Sequence, residues 1–208
     1  MNLESLHSLT EDLLNSEIGW KKVYDKNGIV AFTKKNVFGN ITSVRYRATI
    51  NQSLEKIEAF AYTRMLEYMP AWSKEFMKGE VINPYPSDPN KMLLKTYFKT
   101  PFFLKNRSYL FELYRLRENG FLKVIYHSIE NDNNANEPQG FIRSKLFPTV
   151  YKFTQLSENK VQVEHILSTD LGKDLPHWFQ NAAPVVNGVV KANIRDCVNI
   201  KKVLESML

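Results

Sequence analysis

The stretch from Ser168 to Leu208, STDLGKDLPHWFQNAAPVVNGVVKANIRDCVNIKKVLESML, constrains the fold of this chain most. A polar turn of Asp170, Gly172, Lys173 and Asp174 leads into Pro176, where a first helical turn accepts proline because no intrahelical N–H is needed. A helical pattern of roughly thirty residues follows. Its apolar positions are Phe179, Ala182, Ala183, Val186, Val190, Ile194, Cys197, Leu204 and Leu208, interrupted by Lys201. A helix this long is uncommon in a small domain. What precedes it reads largely as strands. One long helix laid across a curved antiparallel sheet encloses space rather than filling it.

The rest of the chain supplies that sheet. Leu3, Leu6, Leu9, Leu13 and Leu14 repeat at helical spacing, which predicts an amphipathic helix ending near Gly19. WKKVYDKNGIVAFTKK reads as a hairpin turning at Asn27-Gly28. In ITSVRYRATI, Val44, Tyr46, Ala48 and Ile50 share one face, and Ser43, Arg45, Arg47 and Thr49 the other. Ser53 caps a helix expected to run to a break at Pro70, just before Trp72. Strands are expected over Glu75–Ile82, Met92–Lys99, Arg107–Arg117, Phe121–Ile129, Gly140–Phe153 and Lys160–Ser168. The segments NPYPSDPN and ENDNNANEPQG read as loops. Strands joined by short connections favour antiparallel pairing.

Composition narrows the setting. With 208 residues, no Gly/Ser-rich linker and no repeat, one domain over 1–208 is expected. The 13 Phe and 10 Tyr fall mostly in the strand-like runs, enough apolar bulk to line a cavity as well as pack a core. The single cysteine, Cys197, has no internal disulfide partner. The N-terminal segment lacks a signal-peptide pattern, and no window has the ~20 apolar residues of a transmembrane helix. A cytoplasmic monomer is expected. The net charge of +6 suits an anionic surface, but the basic residues are scattered, and a solvated surface is the plainer reading.

Three segments, in order, resemble the steroidogenic-acute-regulatory-related lipid transfer (START) family. YFKTPFFLKNRSYLF is similar to its proline-containing loop ending in Asn-Arg-Asp and an aromatic strand. GFIRSK is similar to its Gly-x-x-Arg strand, and STDLGKDLPHWFQNA to its Asp-x-Gly-x-x-Pro entry to the last helix. Trp20 and Trp72 also stand where that family tends to place tryptophan. The resemblance spans essentially the whole chain. It implies an α+β helix-grip fold, a curved antiparallel sheet around the C-terminal helix, with an internal tunnel for one lipid and no cofactor or metal. Ser108 replaces the family's Asp. Leu113 and Leu94 stand where some sterol-binding members carry a buried arginine and its facing acid. The expected cargo is therefore a glycerophospholipid rather than a sterol, and the expected partner a transient, anionic membrane surface.

Strand alternation and the helix stripe give an expected tunnel lining of Leu94, Phe98, Tyr109, Phe111, Leu113, His127, Val163, His165, Phe179, Val186 and Val190. Arg143 is a further candidate, either meeting a phosphate bidentately or closing a structural ion pair. His127 and His165 read as inward-facing on their strands, as an acid–base pair or as hydrogen-bonded core histidines. In the loop, Phe102, Phe103 and Leu104 lie between Pro101 and Lys105. Either they insert into a membrane interface, with Lys99, Lys105 and Arg107 beside phosphates, or they fold inward and plug the sheet end. Pro184 and Gly188 mark a kink expected inside the last helix, as a hinge of this gate or as a static bend.

A non-enzymatic lipid carrier is the leading functional reading. Stranding two acyl chains in water costs tens of kcal/mol at ~0.8 kcal/mol per methylene, and an apolar tunnel removes much of that. The alternative is a helix-grip enzyme such as a polyketide cyclase, with Tyr109, His127, His165 and Arg143 as acids and bases. A charge-driven nucleic-acid binder ranks last, because no recognisable RNA-binding signature is present. No Gly-rich phosphate loop, nucleophile elbow or zinc-like ligand spacing appears.

Overall fold

A computed structural model describes residues 2–82, 85–100, 104–129 and 137–206. Helix α1 (Leu3–Asn15) starts where the Asn2 side chain accepts the Ser5 N–H at 2.8 Å. It is followed by β1 (Lys21–Lys26), β2 (Ile29–Phe38) and β3 (Ile41–Ile50). Asn27 and Gly28 both take positive φ between β1 and β2, as a tight hairpin turn requires. Next come α2 (Leu54–Glu58), a π-helical turn (Ala59–Thr63) and α3 (Met65–Trp72). The Ser53 hydroxyl accepts the Lys56 N–H, as its capping role predicts. The predicted break at Pro70 does not occur there. Pro70 lies inside α3, and the helix ends two residues later, with Ser73 N–H bonded to Met69 O at 2.9 Å.

The remaining strands are β4 (Phe76–Val81), β5 (Lys91–Phe98), β6 (Asn106–Glu118), β7 (Phe121–Ser128), β8 (Phe141–Arg143), β9 (Lys145–Leu146), β10 (Thr149–Ser157), β11 (Lys160–Leu167) and β12 (Thr169–Asp170). The expected single strand over Gly140–Phe153 is thus three pieces. The first, β8, leaves the antiparallel pattern and runs parallel to β6, pairing Ile142 with Arg107. The main sheet has the order β1-β2-β3-β11-β10-β7-β6-β5-β4, so the first hairpin joins the last strands through β3 and β11. Register shifts in the β1–β2, β2–β3, β4–β5 and β10–β11 pairs fit the strand bending that curves such a sheet.

Both faces of this sheet are covered. One carries α1: Leu6, Leu13 and Leu14 pack on Tyr114, Ile125, Val150 and Ile166. Two buried cations also reach α1. Arg45 donates to Leu14 O at 2.7 Å, and Lys123 to Glu11 at 2.8 Å. The other face holds the main apolar cluster, together with α2, the π-turn, α3 and the C-terminal helix α5 (Ala183–Glu205).

The C-terminal helical pattern is interrupted. A short α4 (His177–Gln180) ends at Asn181, and extended Ala182 precedes α5. Pro184 therefore sits in the first turn of α5, where proline is tolerated, and causes no kink inside the helix. Asn181 fixes this junction. Its amide accepts the Thr42 hydroxyl at 2.8 Å and donates to His177 O and to Asn40 O in the β2–β3 turn.

Candidate functional site

Between the concave sheet face and α5 lies a cavity of about 860 Å³. Its sheet wall is a band of rings: Tyr46 on β3, His165 on β11, Tyr151 on β10, Tyr126 on β7 and Phe111 on β6. Successive rings touch, with centroids 4.8 Å (Tyr46–His165), 3.8 Å (His165–Tyr151), 5.8 Å (Tyr151–Tyr126) and 5.7 Å (Tyr126–Phe111) apart. Phe60 and Ala61 of the π-turn and Met65, Met69 and Trp72 of α3 form another side.

From α5 the wall takes Val185, Gly188, Val189, Ala192 and Asp196. Over the first turns this is a different face from the expected stripe, which reaches the wall further along, at Cys197 and Lys201. Val186 lies in a separate recess beside Ile41, Thr42 and Val44, and Val190 is buried off the cavity wall. Bulky residues mark where the helix packs. The small ones mark where it leaves room: a Cβ added at Gly188 would meet no atom within 4 Å.

Of the other expected lining residues, Phe98, Tyr109, Phe111, Val163, His165 and Phe179 lie on the cavity wall. Leu94 and Leu113 do not. They share the right sheet face but sit in the packed cluster with Ile57, Tyr62 and Met65. His127 follows the cavity-lining Tyr126, so alternation turns it to the opposite face, beside Glu112. Arg143 is also off the wall and pairs with Glu137, the structural reading of that residue. Among the gate candidates, Leu104, Pro184 and Gly188 line the cavity, while Lys105 is exposed beside it. Phe102 and Phe103 lie outside the described residues.

Protonation in the interior favours neutral groups. Burial pulls the His165 imidazole down to about 3, so the ring is uncharged at neutral pH. Burial also raises the Tyr46, Tyr126 and Tyr151 hydroxyls and pushes the Cys197 thiol up to about 12. Asp196 rises to about 6 by burial, against the lowering effect of Arg195. The charge on the wall is mainly cationic: Lys99, Arg107, Lys191, Arg195 and Lys201 against Glu75 and Asp196. Lys99 and Lys191 are exposed at the rim, and Arg195 bonds Glu75 at 2.9 Å, tying α5 to the start of β4.

The three sequence segments singled out by motif meet at one end of the cavity. Arg107, fully buried, pairs with Asp174 at 3.1 Å and donates to Lys105 O. Gly172 has φ +109°, and a Cβ there would fall 2.7 Å from Ile142 Cγ2 and 2.9 Å from Arg143 O. Asp170 accepts Gly172 N–H and the Gln180 amide, each at 2.8 Å. Ser108 donates to Glu137. The motif residues thus clamp the loop, β8 and the helix entry together. Trp178, which the sequence reading passed over, is 75% exposed on α4, edge-on to the cavity-lining Phe179 at 5.9 Å. Its only signal in the sequence was a tryptophan one place before that phenylalanine.

The family model for the START domain matches residues 2–193. The chain belongs to the START domain family. Membership makes this a lipid-binding or lipid-transfer domain that uses a hydrophobic cavity. A search of curated proteins finds no match. Among solved structures, human StAR-related lipid transfer protein 5 resembles this START domain at TM-score 0.82 and 18% identity, covering 98% of this chain and 96% of that one. Human STARD10 gives 0.77 and 14%, covering 97% and 80%. The Zhui aromatase/cyclase from Streptomyces sp. R1128 gives 0.53 and 12%, covering 80% and 94%. At these identities the likeness is one of fold. Among the described residues no helix is long and apolar enough to cross a membrane.

Proposed function

We propose that this START domain carries one glycerophospholipid between membranes in the cytoplasm, with its acyl chains in the cavity and its phosphate at the rim, and leaves it chemically unchanged. The observation that carries this reading is an apolar cavity of about 860 Å³ whose charged wall residues are mostly cations, two of them exposed at the rim. Such a volume lies within the ~300–1,000 Å³ of small-molecule sites. Apolar walls replace water around the chains, and lysine and arginine meet a phosphate.

The protonation pattern favours carriage over catalysis. A histidine with a pKa of about 3 is a weak general base at neutral pH, and buried tyrosines with raised values are weak acids. Docking on an anionic membrane is supported by Trp178, exposed beside the cavity-lining Phe179, with Lys99, Lys105 and Lys173 also exposed. Such an aromatic ring suits the headgroup level of a bilayer, and lysines suit its phosphates. Competition between labelled phosphatidylcholine and labelled cholesterol tests the cargo. Saturable phosphatidylcholine binding that cholesterol fails to displace is expected, and saturable cholesterol binding that phospholipid leaves untouched would overturn it.

A further inference from the structure

We propose that His165 is a specificity contact inside the cavity, donating a hydrogen bond from Nε2 to an ester carbonyl of the bound lipid. This rests on the glycerophospholipid reading above. His165 is 4% exposed and lies on the cavity wall. The sheet register places it directly between Tyr46 and Tyr151. Tyr151 stacks on the ring at 3.8 Å and 13°, and Tyr46 meets it edge-on at 4.8 Å. The imidazole is therefore held in one orientation.

Nδ1 is sealed from solvent and has no hydrogen-bond partner among the described residues. A neutral imidazole carries one proton, and a buried N–H without an acceptor is rarer than a buried acceptor without a donor. The proton therefore sits on Nε2. The neighbouring rings of Tyr46 and Tyr151 pack on the imidazole and on each other, with centroids 6.5 Å apart. The surrounding wall is apolar: Ala48, Phe153, Val163 and Ile200. A neutral donor in such a wall suits an uncharged acceptor oxygen, because a phosphate there would lose its water. In a glycerophospholipid the uncharged acceptors are the ester carbonyls, at the head of the acyl chains that such an apolar wall holds.

The test compares di-ester with di-ether phosphatidylcholine as competitors of a labelled phosphatidylcholine. The two lipids differ in their carbonyls, not in head group or chain length. The intact protein should prefer the di-ester about five- to tenfold, the effect of one hydrogen bond. His165→Phe should lose that preference and bind the di-ether lipid as before, whereas His165→Gln, which keeps an N–H, should retain part of it. Equal binding of both lipids by the intact protein overturns the inference and leaves the carrier reading standing, and this arm decides even if the Phe variant fails to fold. A preference that survives in a folded His165→Phe protein overturns it too. Absence of any phospholipid binding overturns both.

Discussion

Gly188 separates two ideas about the C-terminal helix. It lies inside α5 at the exposed edge of the cavity wall, with open space in front of it. Interior glycine weakens a helix by ~0.8–1 kcal/mol relative to alanine. Alanine here adds a methyl without a clash, so Gly188→Ala should stabilise the protein by about 1 kcal/mol. For a domain of this size that raises Tm by ~2–4 °C. A hinge at Gly188 would make the same change slow lipid transfer. With Pro184 in the first turn and no kink inside α5, transfer should instead stay within about twofold, a change of under ~0.5 kcal/mol. Gly188→Phe carries the other half of the argument. Its ring projects into the space the lipid needs, and excluding about four methylenes costs ~3 kcal/mol, more than 100-fold in affinity. Calorimetry and a vesicle-to-vesicle transfer assay on both variants give the readout. A Phe variant that binds lipid normally would refute the placement of cargo beside α5, and slow transfer by the Ala variant would restore the hinge.

Gly172→Ala forces a Cβ against Ile142 and the Arg143 carbonyl at a left-handed φ, and should destabilise by about 3 kcal/mol, seen as a Tm fall of ~6–12 °C. Trp178→Ala, at an exposed site, should leave Tm within about 1 °C but weaken binding to anionic vesicles roughly tenfold, in co-sedimentation at moderate salt. Asp196 has a folded-state pKa of about 6, above its ordinary 3.8, so its protonated form is favoured in the fold. That contribution is complete below about 3.8 and is lost as pH rises through about 6. Its side chain is 22% exposed, so about 2 kcal/mol is expected. The lowered carboxylates Glu11, Glu112 and Asp170 act in the opposite direction at more acidic pH. The measurement is therefore the Tm difference between Asp196→Asn and the parent, which should be larger at pH 7.5 than at pH 5.

Local chemistry made much of the fold legible in the sequence. The Asn27-Gly28 turn, the Ser53 cap and the alternation of β3 are each set by neighbouring residues, and each forms as expected. The cavity wall was harder to read because alternation separates two faces without saying which is concave. Helix α1 covers the back of the sheet, so that face is apolar too. The phase of Ile125 points His127 inward by sequence alone, yet Ile125 packs beneath α1. Volume misled in the same way on α5, where Val186 and Val190 attract the eye but Gly188 and Ala192 adjoin the empty space. Leu94 and Leu113 have the right face, but their depth along the strand depends on where α2 and α3 close the cavity, a long-range property. Arg143 pairs with Glu137, six residues upstream in the segment leading into β8, where several acids and amides compete for the role.

The most direct test of the central claim is native and denaturing mass spectrometry of the protein purified without added lipid. One intact glycerophospholipid per chain, released on denaturation with both acyl chains in place, is the result this account predicts. A bound sterol as the only cargo, an aromatic polyketide, or a lipid returned chemically altered would contradict it.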